Sequence, residues 1–321
     1  MASIHCVPCE VIHKIFEFSN PLEVPRLRLV CNAFNRIIKR NYPYLPRVPY
    51  IIRIFMEDGQ IMIAHKKSGN ETDCAKDLFE FDFDIWREIS IVQIELVDFD
   101  LSKNSRALEA FQLVYDNYVK TRQASLRQLT LINTDFKNQQ LGVFEHFINA
   151  ALETCEKIVV ENCTIPINFD ESYISKSKFD HFRWINSSAL TPLPSDQILQ
   201  KITMEMKNNV NKRTYLTEID QVAVKNVCDF IEEWLQLPVA SFFNFTFNNC
   251  DEFWKSNFLL ECERRKLTHF YMEFQSKAHA NAHVKVSFSQ NSRTCCIWPV
   301  VDVPARTTGQ SVCYARYFRD F

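Results

Sequence analysis

The sequence predicts an α/β protein in which a short helical N-terminal segment precedes a larger α/β domain built by repetition. Three observations predict it. Apolar residues recur at helical spacing within the first 45 positions. Further on, a short pattern with apolar residues at positions 1, 4 and 6 recurs six times. Amphipathic stretches of helical period lie between its copies.

Composition limits what such a chain does. Its 321 residues suggest one to three domains. Hydrophobic residues at 46% and charged residues at 24% are the balance of an ordinary globular protein, and 27 phenylalanines argue against disorder. Only 4 glycines occur, so glycine-rich loops that cradle phosphates are excluded. A net charge of −2 gives no whole-chain reason to expect nucleic acid or a membrane surface. No secretory leader opens the chain and no run of 18 apolar residues occurs, which predicts an intracellular protein, cytoplasmic and/or nuclear, with its 12 cysteines as thiols. The Asn triplets starting at Asn70, Asn162, Asn186 and Asn244 are then not glycosylated. Cys6 and Cys9 have metal-ligand spacing but lack a second pair, and adjacent Cys295 and Cys296 are poorly placed to chelate one ion. No metal and no cofactor are expected.

Residues 1–45 read as two helical stretches. The first, from about Pro8 to Phe18, opens with a proline in its first turn and repeats Val11, Ile12, Ile15 and Phe16 at helical spacing. Ser19-Asn20-Pro21 ends it. The second, from about Val24 to Lys39, carries the stripe Leu27, Val30, Cys31, Phe34, Ile37 and Ile38, and Asn41-Tyr42-Pro43 ends it. So short a segment cannot bury enough apolar surface to stand alone. Either it packs on the rest of the chain or it keeps an apolar face for a partner.

The wording of these residues is specific. Val7-Pro8-Cys9-Glu10-Val11, Ile15-Phe16, Asn20-Pro21, Arg26-Leu27-Arg28-Leu29-Val30-Cys31 and Phe34-Asn35-Arg36-Ile37 closely resemble the F-box, with Val7, Ser19 and Pro25 departing from its usual text. The resemblance implies a three-helix F-box, docking on a Skp1-like protein and, through it, on a cullin-based ubiquitin ligase. It implies that Val7, Pro8, Ile12, Ile15, Phe16, Leu29, Val30 and Phe34 supply most of the contact, each large side chain contributing roughly 1.5–3 kcal/mol by burial.

Pro43, Pro46 and Pro49 make a stiff connector. Residues 51–55 and 60–64 read as a hairpin closed by Asp58-Gly59, so connector and hairpin span 46–66. The repeats fill 67–284. Their apolar triplets are Ile91/Ile94/Leu96, Leu126/Leu129/Leu131, Cys155/Ile158/Val160, Phe179/Phe182/Trp184, Phe242/Phe245/Phe247 and Leu267/Phe270/Met272, with a degenerate copy near Arg213–Leu216. Position 8 reads Asp98, Asn133, Asn162, Asn186, Asn249 and Phe274, and Asn is expected there to cap the strand end. Amphipathic helices are expected over Ser105–Lys120, Gln140–Glu153, Pro194–Met206, Glu218–Leu235 and Asp251–Arg265. This alternation resembles leucine-rich repeats, specifically the C-terminal domains of nematode F-box proteins. It implies an irregular leucine-rich-repeat-like α/β solenoid, with a compact α/β domain and mixed sheet as the structural rival. Residues 285–321 fit no repeat.

If the strands are parallel, positions 3, 5 and 7 face outward. Lys157, His181, Arg183, Asn244, His269 and Tyr271 are the candidates there for holding a target protein, Arg and Tyr being the types most enriched among binding anchors. No His-Glu-x-x-His box or Gly-x-Ser-x-Gly elbow occurs, so intrinsic catalysis is not expected. The sequence thus describes an adaptor. A plain interaction scaffold is the alternative, and a nucleic-acid reader using Lys157 and Arg183 is the third.

Overall fold

The computed structural model describes residues 7–41, 45–67, 75–99, 106–121, 126–136, 146–147, 151, 154–165, 178–189, 195–208, 214–220, 222–237, 241–267, 271–289, 291 and 293–301. It is a mixed α/β structure with N-terminal helices, and it divides into two compact units. One comprises residues 1–155 with 162–166, the other residues 156–161 with 167–321.

The first unit opens with three helices, α1 (Cys9–Glu17), α2 (Val24–Leu27) and α3 (Asn32–Asn41). Periodicity alone merges α2 and α3 into one helix, and the structure corrects this. The N–H groups of Leu29 and Val30 turn back to the carbonyls of Arg26 and Leu27 in tight i→i+3 fashion. The Cys31 sulfur and carbonyl then take the N–H groups of Phe34 and Asn35, which restarts the helix. The break lets Phe34 and Ile38 point inward while Leu29 and Val30 point out. Asn20 accepts the Leu22 N–H, and Pro25 sits in the first turn of α2, where a missing N–H costs nothing.

Strands β1 (Val48–Glu57), β2 (Gln60–Lys67), β3 (Lys76–Asp77), β4 (Ile89–Val97) and β5 (Gln128–Ile132) follow, with α4 (Ala107–Lys120) before β5. The expected hairpin is present, and Asp58 and Gly59 both take positive φ in its turn. It is no mere connector, because β1 also pairs in parallel with β4, and β4 with β5. The sheet order is β3-β2-β1-β4-β5. Helix α4 covers one face with Ala107, Ala110, Phe111 and Val114, and Phe111 stacks edge-on to Phe99 at 5.0 Å between ring centres.

In the second unit β6 (Lys157–Glu161), β7 (His181–Ile185), β8 (Tyr215–Asp220) and β9 (Phe243–Asn248) run parallel, with α5 (Ser195–Asn208) crossing from β7 to β8, α6 (Val224–Trp234) from β8 to β9, and α7 (Glu252–Arg264) following β9. Strands β10 (Glu273–Gln275), β11 (Ala282–Ser289) and β12 (Thr294–Val301) close this part antiparallel, in the order β9-β12-β11-β10. The core on the helix side is aromatic: Phe182, Trp184, Phe230, Trp234, Phe245, Phe247 and Phe258 are all buried.

The first four apolar triplets are buried as expected. Four expectations need correction. The degenerate copy is a full strand, β8, in which Tyr215, Thr217 and Ile219 alternate inward, so the helix expected from Glu218 starts only at Val224. Phe242 is 47% exposed, and Phe243, in register with Tyr215, takes its core position. The sixth segment is not a parallel strand: Tyr271 and Met272 have positive φ, and the strand starts at Glu273, antiparallel. Residues 282–301, the start of the segment that fitted no repeat included, form the β11–β12 hairpin. Most of the helix expected over 140–153 lies outside the described residues, as do 302–321.

Position 8 has a sharper role than capping. Asp98, Asn133, Asn162, Asn186 and Asn249 all sit at φ between 47° and 60°. Asn and Asp tolerate this left-handed region best among residues other than glycine. It swings the chain off the strand, and at four of the five positions the next residue is buried: Phe99, Thr134, Cys163 and Cys250, whereas Ser187 is only half-buried. In the first unit the side chains form a ladder: Asn133 Nδ2 donates to Asp98 Oδ1 at 2.8 Å, and Asn162 Nδ2 to Asn133 Oδ1 at 3.1 Å. Asn133→Ala is expected to destabilise the protein by roughly 1–2 kcal/mol, through backbone strain and the broken ladder. Asn133→Gly should keep the backbone and lose only the ladder. Denaturant titration of both variants measures the difference, and Ala equal to or milder than Gly would contradict it.

Candidate docking surfaces

The helical segment has its own small core. Ile12, Phe16, Val24, Phe34, Ile38 and Leu45 are buried together, with Leu27, Cys31 and Ile37 packed around them. Phe16 meets Phe34 edge-on at 5.0 Å. Of the eight residues expected to meet a partner, Ile12, Phe16 and Phe34 therefore serve this core, because they occupy the inward stripe of α1 and α3. Val7, Pro8, Ile15, Leu29 and Val30 lie on the surface.

Their exposure is large. Ile15 is 57% exposed, and Phe18 and Leu29 are each 87% exposed. Val11 and Leu22, also exposed, belong with them. Val11, Phe18 and Leu22 escaped the sequence reading because a helical stripe does not say which of its edges is covered. Their signal was an apolar count too high for so short a segment. Lone exposed apolar residues are ordinary, but this many on some 25 residues of helix and turn is apolar exposure of the kind that marks an interaction site.

In the second unit, register settles which outward residues meet. Lys157, His181, Leu216 and Asn244 form one row across β6 to β9, and Val159, Arg183, Glu218 and Thr246 form the next. Lys157, His181, Arg183 and Asn244 are thus brought together. Tyr271 is 82% exposed but lies ahead of β10, off these rows, and His269 lies outside the described residues.

Arg183 is already engaged. It bridges Glu161 at 3.0 Å and Glu218 at 2.9 Å, its neighbours on either side. Both carboxylates escaped the sequence reading as partners, Glu218 because its strand was read as helix. Burial pushes the Glu218 carboxyl up despite Arg183 beside it. Burial likewise pulls Lys157 down, with Arg183 adding to the effect. His181 falls to about 4, chiefly through burial and then through repulsion from Lys157 and Arg183. At neutral pH it is an uncharged imidazole between two cations. The rows thus combine a compensated charge cluster, a neutral histidine and the aliphatic Leu216, while Val159 is buried.

Among the described residues no group of three or more His, Cys, Asp or Glu side chains is placed to hold a metal ion, and no helix is long and apolar enough to cross a membrane.

Two outcomes follow from these placements. Phe16→Ala should cost roughly 3–5 kcal/mol and unfold the helical segment, whereas Leu29→Asp should leave its circular dichroism unchanged. Equal loss of helix in both would overturn the division into core and surface. Separately, the unfolded chain binds a proton on His181 near pH 6.5, and the folded chain resists it until about pH 4. Stability from the neutral ring is therefore full above about 6.5 and lost as pH falls toward 4. The melting temperature of the wild type should drop more between about pH 7 and pH 4.5 than that of His181→Gln. Parallel drops would refute the assignment.

Comparison with known proteins matches the F-box domain to residues 4–46. No curated protein and no solved structure matches the chain.

Proposed function

We propose, from the F-box at residues 4–46, that this chain is the substrate-receptor adaptor of a Skp1-cullin-F-box type ubiquitin ligase. The observation that carries the reading is the exposed apolar patch of the helical segment. Val7, Pro8, Val11, Ile15, Phe18, Leu22, Leu29 and Val30 are its contact side chains toward a Skp1-like protein. Burying each large one contributes roughly 1.5–3 kcal/mol before the cost of association is subtracted. The α/β region, residues 67–284, holds the target protein, and the face carrying Lys157, His181, Arg183 and Asn244 is its receptor surface. The recurring strand, left-handed Asn or Asp and buried follower support reading that region as leucine-rich-repeat-like.

In this role the chain makes and breaks no bonds. It raises the effective concentration of the target beside catalytic subunits on other chains, in the cytoplasm or nucleus. A non-degradative scaffold is the second reading, favoured by the same patch, since Skp1 binding alone does not commit a complex to ubiquitin transfer.

Ile15→Asp combined with Leu29→Asp places two charges in the patch without touching the core. The double variant is expected to lose copurification with Skp1, by at least about tenfold, with an unchanged melting temperature. Copurification equal to wild type would refute Skp1 docking. Ubiquitination in a reconstituted Skp1–cullin reaction then separates the readings: modification of the chain or its bound proteins supports the receptor, and intact Skp1 binding without any modification supports the scaffold.

A further inference from the structure

The helical segment has a second surface, on the opposite flank of α1 from its apolar patch. Cys9 and His13 lie on one side of the core-facing Ile12 and Phe16, and Val11 and Ile15 on the other. On the Cys9 side, α1 and α3 enclose a groove of about 400 Å³. Its walls carry His13, Lys14, Arg36 and Arg40, and the half-buried Ile37 contributes an apolar spot.

The charges in this groove are unbalanced. Lys14, Arg36 and Arg40 face a single lining carboxylate, Glu10. Glu10 lies beside the Cys9 thiol, which donates to its Oε1 at 3.4 Å. Lys14 and His13 both turn to Glu17, at 2.6 and 3.0 Å. Arg36 and Arg40 have no hydrogen bond or ion pair among the described residues. They stand one turn apart on α3, exposed, with Lys39 beside them. Residues 1–45 as a whole carry six basic residues against three acidic ones, in a chain whose net charge is −2. The positive charge is therefore concentrated on this segment, and Arg36 and Arg40 place two unpaired cations on this flank.

We infer that the α1–α3 groove binds an acidic segment of a partner protein. Two guanidinium groups one helical turn apart, about 6 Å along the axis, match carboxylates at i and i+2 of an extended chain or i and i+4 of a helix. Each can be gripped in the two-pronged arrangement that Arg makes with carboxylates. Ile37 between them receives one apolar side chain of the same segment. Nucleic acid fits less well. The groove offers no Phe, Tyr or Trp for a base to stack on. The inference is separate from Skp1 docking, which uses the other flank.

The test uses the full-length protein and fluorescence polarisation. The probe is a labelled peptide of about ten Glu and Asp residues with one central Leu. Its Lys/Arg counterpart and a single-stranded deoxythymidine oligomer of similar length serve as competing chemistries. The acidic peptide should bind at low salt, weaken as salt rises, and lose roughly tenfold in affinity in Arg36→Glu with Arg40→Glu. Leu29→Asp should leave this binding unchanged while removing Skp1, which keeps the two surfaces distinguishable. An unchanged melting temperature of the charge-reversed variant secures the comparison. Absence of peptide binding at low salt, equal binding by the charge-reversed variant, or an oligonucleotide that binds as tightly would each overturn the inference.

Discussion

Parallel strands joined by helices on one face require the chain to drop off every strand end toward the same side. Here a single left-handed residue does this at Asp98, Asn133, Asn162, Asn186 and Asn249. Glycine adopts that conformation at least steric cost, but this chain has only four, so Asn and Asp stand in. The substitution adds something glycine cannot supply. An Asn carries both a donor and an acceptor, so Asn133 gives a hydrogen bond to Asp98 and receives one from Asn162, linking successive turns edge to edge. At four of these five positions the residue that follows is buried, Cys in two of the copies.

The period-2 pattern made this region readable wherever both members of the alternation kept their type. Ile94 and Leu96, or Phe182 and Trp184, declare their face without ambiguity, because Glu95 and Arg183 separate them. Legibility failed where two adjacent residues were equally apolar. Phe242 and Phe243 are interchangeable on paper, and only the pairing of Phe243 with Tyr215 decides which goes in. It failed again at β8, where Thr217 takes an inward position that apolar bookkeeping skips, leaving Glu218 to look like the first turn of a helix. In the helical segment, periodicity gave one long helix over α2 and α3, because the tight turn over Arg28–Val30 uses no glycine or proline to announce itself. There the resemblance to a three-helix domain carried information the period did not.

The two surfaces differ in how they are held ready. The apolar patch of the helical segment is a standing cost, since its side chains gain nothing until a partner removes them from water. The sheet face of the second unit is compensated in advance: Arg183 already satisfies Glu161 and Glu218, and burial keeps His181 neutral. In the proposed receptor role, a target meeting that face would find no free charge at Arg183. It would have to match the contour of Leu216 and the imidazole, or displace an ion pair and restore its hydrogen bonds. The first route selects by shape and the second penalises partners that lack the right polar group, so both favour discrimination over raw affinity.

In the adaptor role proposed for this chain, a flexible joint would dilute the proximity created. Within the first unit the helical segment is not left to swing on its proline-containing exit. Arg28 reaches from the α2–α3 turn to Glu88, just ahead of β4, with Nη1 to Oε1 at 2.6 Å, while its Nε donates to Asn35. Arg47, buried directly before β1, donates from Nη1 to the carbonyls of Ile89 and Thr121, the first residue of β4 and the residue that closes α4. A guanidinium presents several donors in a fixed plane, so a rotation that breaks one bond strains the others. The bond from Arg28 is partly exposed and weak by itself, but it lies at the far end of a lever whose near end is fixed by the buried Arg47. Among the described residues these two arginines tie the three helices to the first sheet, while the apolar residues of the segment divide between its own small core and its exposed surface.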